Sequence, residues 1–103
     1  MTLINANTSG VFAIAATPFQ PDGALDLDSI DRLVDFYAEM GANGMTILGM
    51  MGEAGTLYAA EAEAVTKRFM ARSEVPVVVG VSSGAIASIE ALSKLAMDQG
   101  AAG

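Results

Sequence analysis

The sequence predicts an α/β fold made of strand–helix units in succession. Three observations carry that expectation. Short, continuous apolar runs occur at Gly10–Ala16, Met45–Leu48 and Pro76–Val81, each a candidate buried strand. Each run is followed by a longer stretch with helical periodicity, and turn residues separate the two. Strands alternating with helices argue for a parallel sheet with right-handed crossovers. Near-continuous apolar strands argue that both faces of that sheet are covered. A (β/α)8 barrel and a doubly wound sheet both fit this order. A barrel needs about 250 residues, so a chain of 103 residues holds at most the first three of its eight units. The expected organisation in either parent is a tail at 1–9 and an α/β domain over 10–103, ending at Ala101-Ala102-Gly103 where the next strand is expected to begin.

In chain order, Gly10–Ala16 is the first strand, and Thr17-Pro18-Phe19 ends it because proline removes a ladder donor. Gln20-Pro21-Asp22-Gly23 is a turn. Asp26 to Met40 is a helix whose apolar face is Ile30, Leu33, Val34, Tyr37 and Met40. Asp26 or Asp28 is placed to cap it, and Gly41 to end it. Met45–Leu48 is the second strand, followed by the turn Gly49-Met50-Met51-Gly52-Glu53. A second helix runs from Tyr58 to about Arg72. Its N-terminus has Tyr58 where a capping box wants Ser or Thr, so Thr56 is the alternative cap. The β-branched run Pro76–Val81 is the third strand, and Ser82-Ser83-Gly84 the loop after it. Ile89, Leu92, Leu95 and Ala96 mark the third helix, ending at Gly100. The seven methionines read as core filler.

Composition narrows the functions. Hydrophobic residues make up 52% of the chain, which argues against disorder. Net charge is −7 with only five Lys and Arg, too few for a phosphate-reading stripe or for adhesion to anionic membranes, so neither nucleic acid nor membrane is an expected partner. With no cysteine and no histidine, disulfides, a thiol nucleophile, the usual metal ligand and the usual general base are all missing. No metal site is expected. No Lys or Arg precedes Arg32, so a signal peptide with a charged n-region is not expected either, and the expected location is the cytoplasm.

In either parent architecture, ligands bind at the carboxyl ends of the strands. Thr17-Pro18-Phe19, Gly49–Glu53 and Ser82-Ser83-Gly84 occupy that edge. In the middle segment, glycines permit a tight turn and a close backbone approach. Exposed N–H groups there would suit an anion such as a carboxylate. A turn that needs glycine for geometry alone fits the spacing equally well. Neither a P-loop nor a G-x-G-x-x-G follows a strand, which weakens a nucleotide-binding reading. Glu53 fits a catalytic base by position. The preferred reading is structural, with its carboxylate accepting backbone N–H bonds or complementing the next helix's N-terminus. Lys67 and Lys94 are the only Schiff-base candidates. Both fall mid-helix, four residues after Glu63 and Glu90 respectively, and read as surface ion pairs.

These residues together resemble a known family. Gly10-Val11-Phe12 through Thr17-Pro18-Phe19, Asp22-Gly23, Gly49-x-x-Gly52-Glu53 with Thr56-Leu57, and Pro76-Val77-Val78-Val79-Gly80 look like the N-terminal third of the dihydrodipicolinate synthase/N-acetylneuraminate lyase family. The resemblance covers about Gly10 to Gly103. It implies a (β/α)8 barrel, usually tetrameric, that acts as a class I lyase, aldolase or synthase on pyruvate or another 2-oxo acid. A lysine on the sixth strand forms the Schiff base in such enzymes, and no cofactor is implied. Carried onto this chain, the substrate carboxylate falls on Met50, Met51 and Gly52, with Gly49, Glu53 and Thr17 as the supporting turn and edge. The lysine of the family, and its tyrosine near the fifth strand, have no counterpart within these 103 residues, so no catalytic residue is expected in this chain. The family usually has Thr or Ser at the positions of Met50 and Met51, and a methionine has no hydroxyl to donate. A lost hydrogen bond to a charged group costs on the order of 1.5–3 kcal/mol. Dihydrodipicolinate synthesis itself is therefore disfavoured against another 2-oxo acid reaction. Two further readings are a non-catalytic domain that pairs with itself or a longer paralogue, and a small flavodoxin-like binding domain. Missing phosphate motifs and too few strands weigh against the last.

Overall fold

The computed structural model describes residues 3–103. Strand β1 is Phe12–Ile14, helix α1 Leu27–Glu39, strand β2 Gly44–Ile47, helix α2 Ala59–Arg72, strand β3 Val77–Val79 and helix α3 Ile86–Asp98, with a single 3-10 turn at Ala54–Thr56. The strands are parallel and lie in sequence order β1-β2-β3. Ala13, Met45 and Val77 share one register row, and Ile14, Thr46 and Val78 the next. Helix α1 packs on α2, and α2 on α3. Consecutive helices thus form one layer on one face of a sheet whose order never reverses. That is the winding of a (β/α)8 barrel; a doubly wound sheet puts helices on both faces.

The strands are shorter than the apolar runs. The β1 ladder stops at Ile14, although the Ala15 N–H still bonds the Thr46 carbonyl at 2.9 Å. Beyond Thr17, a bridge between Phe19 and Leu25 closes the turn at Pro21–Gly23, a contact without a periodic signature in the sequence. Asp26 is the cap of α1: its carboxylate accepts the Ser29 N–H at 3.1 Å and the Ser29 hydroxyl at 2.6 Å. These bonds hold that carboxyl below its ordinary pKa. Gly41 ends the helix with φ of +83°. Thr56 does not cap α2. Its hydroxyl donates to the Glu53 carbonyl inside the 3-10 turn, and the Glu61 carboxylate instead accepts the Tyr58 N–H at 2.9 Å. After α3, Gly100 takes a positive φ. Ala101–Gly103 then runs beside β3, Ala102 N–H bonding the Val77 carbonyl and Val79 N–H the Gly103 carbonyl. Within 1–9, the Ile4 N–H bonds the Ala102 carbonyl at 2.8 Å.

The core lies between sheet and helices. Met45, Ile47, Val77 and Val79 are buried in one cluster with Ile30 and Val34 of α1 and Val65, Phe69 and Met70 of α2. Only this face of the sheet is covered among the described residues. On the other face Thr46 and Val78 are half-buried and Ile14 is 53% exposed, while the Phe12 ring lies where a side chain at Gly44 would stand. The expectation of two covered faces is therefore corrected. The apolar composition of these strands reflects two apolar faces, of which the helices cover one. Met40 is also solvent-exposed, at the C-terminal end of α1 beyond the residues that pack on the sheet. Of the methionines only Met45 and Met70 are buried; Met40, Met50, Met51 and Met97 are exposed, and Met1 lies outside the described residues.

Helices α1 and α2 are joined across their outer surfaces by Arg68, which reaches Asp31 at 2.9 Å and Asp28 at 3.1 Å, and by Arg72, which reaches Asp35 at 2.6 Å. Both arginines grip their carboxylate in the two-pronged manner that suits a guanidinium.

Candidate functional site

The turn 49–53 follows β2 directly, at the carboxyl edge of the sheet. Its backbone is bent at Leu48 and Glu53, which have φ of +56° each and are the non-glycine residues with positive φ among those described. Left-handed backbone at a residue with a Cβ costs about 1–2 kcal/mol, and such strain gathers where a fold is held for a purpose. The glycines serve other ends. A Cβ at Gly52 would stand 3.0 Å from the Leu48 nitrogen, so Gly52 allows the turn to fold onto itself, whereas Gly49 faces open space.

Hydrogen bonds close the turn from within. Gly52 N–H donates to the Gly49 carbonyl, and Glu53 N–H to the Met50 carbonyl, both at 3.1 Å. Ala54 N–H reaches the Gly49 carbonyl at 3.4 Å. The N–H groups of Met50 and Met51 have no backbone acceptor among the described residues. Both side chains reach solvent, Met50 at 96% exposure and Met51 at 62%. Gly52 is buried, and its own N–H is engaged inside the turn.

Neighbouring strand ends fix this turn from both sides. From the end of β1, the buried Thr17 hydroxyl donates to the Gly52 carbonyl at 2.6 Å, across 35 positions of sequence. From the end of β3, Gly80 N–H donates to the Ile47 carbonyl at 2.9 Å. A Cβ at Gly80 would stand 2.3 Å from the Leu48 carbonyl oxygen, so only glycine lets the two chains approach this closely. Sequence reading placed Thr17 at this edge but had no signal for its partner, and it missed the role of Gly80.

Glu53 differs from its expected structural role. Its carboxylate caps nothing and is exposed; its carbonyl does the bonding, accepting the Thr56 N–H and hydroxyl at 2.9 Å each. Ser82 and Ser83 are exposed in the loop after β3, Ser83 accepting the Ala85 N–H.

The lysines stand apart from this edge. Lys67 is exposed on α2, with no ion pair to Glu63 among the described residues. Lys94 pairs with Asp98 at 2.9 Å, one turn after it, rather than with Glu90 one turn before. The bond to Asp98 raises its pKa and keeps it charged. An imine-forming lysine must lose its proton readily, and Lys94 is biased the other way. All five cationic side chains belong to helices, so the carboxyl edge offers an anion the backbone N–H groups of the turn and the exposed hydroxyls of Ser82 and Ser83. Among the described residues no three His, Cys, Asp or Glu side chains gather to hold a metal ion, and no helix is long and apolar enough to cross a membrane.

Comparison with known proteins agrees with the architecture. The sequence profile of the dihydrodipicolinate synthetase family matches residues 7–103. A 4-hydroxy-tetrahydrodipicolinate synthase of Sorangium cellulosum is 41% identical over 98 residues, a match covering 92% of this chain and 33% of that protein. The crystal structure of a dihydrodipicolinate synthase from Rhodopseudomonas palustris is similar with a TM-score of 0.95 and 52% identity, covering 100% of this chain and 35% of that one. A prophage protein of the dihydrodipicolinic acid synthase family from E. coli K12, solved in complex with pyruvate, is similar with a TM-score of 0.87 and 30% identity, covering 93% of this chain and 33% of that one. The chain thus spans about a third of the length of the relatives it matches, and its three strand–helix units align with that third.

Proposed function

The chain belongs to the dihydrodipicolinate synthetase family, and from that premise we propose that it supplies the carboxylate-binding part of a Schiff-base lyase acting on pyruvate or another 2-oxo acid. The observation that carries this reading is the pair of unengaged N–H groups at Met50 and Met51, in a strained turn at the carboxyl edge of the sheet. In a chain of net charge −7, an anion is held only where donors are fixed locally. The open sheet face with Ile14, Thr46 and Val78 corresponds in this reading to the lumen of a barrel, which fills with layers of such side chains.

The chemistry assigned to this part is binding and orientation. With its carboxylate on the turn, a 2-oxo acid presents its keto carbon to an amine. Attack by a neutral lysine, loss of water and uptake of one proton give an iminium, which withdraws electrons from the neighbouring carbon–carbon or carbon–hydrogen bond. That lysine comes from outside these residues, since Lys67 and Lys94 are exposed on the helix layer. The curated relative from Sorangium is named for 4-hydroxy-tetrahydrodipicolinate synthesis. Here Met50 and Met51 leave only backbone donors, which favours a reaction that needs no hydroxyl relay at those two positions. An efficient condensation of pyruvate with aspartate semialdehyde would refute that narrower assignment.

The test is the intact mass of the protein from its natural source after incubation with pyruvate and borohydride. One reduced pyruvate adduct, which a peptide digest places on a lysine other than Lys67 and Lys94, is the expected result. No adduct, or an adduct on either of those two, overturns the reading and directs attention to partners that cover the open sheet face.

A further inference from the structure

We propose that Thr17 and Gly80 are positioning residues for the carboxylate turn, clamping it from the two neighbouring strand ends; this rests on the 2-oxo acid reading above and deepens it. The N–H groups of Met50 and Met51 belong to a backbone that bends unfavourably at Leu48 on one side and at Glu53 on the other. Such a conformation persists only where its surroundings over-determine it. Three contacts from outside the turn do so.

The Thr17 hydroxyl holds the Gly52 carbonyl at 2.6 Å in a buried position. Gly80 N–H holds the Ile47 carbonyl, next to strained Leu48. The bare Cα of Gly80 lets β3 lie against the Leu48 carbonyl, where any side chain would collide at 2.3 Å with backbone that cannot swing aside. Leu48 itself is 2% exposed, so its side chain is anchored in the core while its carbonyl lies against the bare Cα of Gly80. Neither Thr17 nor Gly80 offers a side-chain donor to a ligand: the threonine hydroxyl is spent on Gly52, and glycine has none. Their effect on a carboxylate passes through the backbone they hold, because a preorganised donor costs no reorganisation when the ligand arrives.

Thr17→Val keeps the shape and removes the hydroxyl, leaving the buried Gly52 carbonyl unpaired. In the protein expressed from its complete reading frame, imine formation is titrated with pyruvate and, as a control, with hydroxyacetone, which has the keto group without the carboxylate. Thr17→Val should raise half-saturating pyruvate about tenfold, equivalent to about 1.4 kcal/mol, and leave that of hydroxyacetone unchanged. Thr17→Ser, which restores the hydroxyl, should return pyruvate to within about twofold of the parent. Gly80→Ala should show the same selective loss with the Thr17 hydroxyl intact. Equal weakening toward both ketones, or no change in Thr17→Val, overturns the clamp while leaving the lyase reading standing. If the parent forms an imine with neither ketone, the lyase reading fails and the clamp falls with it.

Discussion

At the carboxyl edge of the sheet the backbone is strained and the methionine side chains are exposed; in the α1–α2 layer the backbone is regular, and Arg68 and Arg72 each bind a carboxylate across it. The turn 49–53 has left-handed backbone at Leu48, just before it, and at Glu53, its last residue, and displays two methionines to solvent. The α1–α2 layer instead buries Ile30, Val34, Val65 and Phe69 completely or nearly so, and ties its outer surface with Arg68 and Arg72. In one sheet, then, stability is gathered on the helix-covered face and held back from the carboxyl edge. Perturbing each region in turn should therefore move different observables.

The largest effect is expected in the layer. Phe69 is wholly buried in α2 and is the largest of the fully buried side chains. Phe69→Ala should destabilise the fold by about 3–5 kcal/mol, the usual range for a buried aromatic cut to alanine. A urea unfolding curve reads this as a lower midpoint at unchanged slope. A loss under about 1 kcal/mol would mean that the layer collapses around the vacancy and that the contrast with the edge is weaker than the burial implies.

Much of the layer was legible because its signals are local. Ile30 and Val34 sit four apart on one helical face, Asp26 stands where a cap is needed, Gly41 follows the last helical turn, and the valines of β3 allow few alternatives. The edge was legible as a place, from its glycines and its position after an apolar run. Its geometry was not. No residue type announces that Leu48 rather than Gly49 carries the positive φ, since the bend is imposed by tertiary contacts. The Thr17–Gly52 bond and the Arg68–Asp31 pair join residues 35 and 37 positions apart, separations that no periodicity encodes. Exposure of Met50 and Met51 also escaped composition, which treats every methionine as apolar filling.

A smaller effect, of opposite sign, should mark the edge. Glu53 bears left-handed backbone, and its carboxylate makes no capping bond. Glu53→Gly relieves about 1–2 kcal/mol of backbone strain against about 0.5–1 kcal/mol of added chain entropy to be lost on folding. A net gain of about 0.5–1 kcal/mol is expected, seen as a higher urea midpoint with pyruvate half-saturation unchanged. A fall in turnover at unchanged half-saturation would instead make the Glu53 carboxylate a proton-transfer group and give this residue a chemical reason for its strain.

The smallest effect belongs to the surface pairs and depends on pH. Arg68 beside Asp31 and Arg72 beside Asp35 hold both carboxyls below the ordinary value, the hydrogen bond in each pair being the main cause. A carboxyl whose pKa is lower folded than unfolded binds its proton more readily in the unfolded chain. Its stabilising contribution is therefore complete above the unfolded value of about 3.9 and is lost as pH falls through the lowered folded value. Thermal melts from pH 7 downward should show a nearly level melting temperature to about pH 5 and then a decline. In Asp31→Asn with Asp35→Asn the decline should be shallower, because two of the groups that favour the unfolded chain in acid are gone. Both partners are partly exposed, so 1 M salt, with a screening length of about 3 Å, should narrow the difference between parent and double variant. An acid limb equally steep in the double variant would place the acid sensitivity elsewhere, with the Asp26 cap as the next group to remove, since its carboxyl is lowered mainly by its hydrogen bonds to Ser29, Arg32 adding a smaller pull.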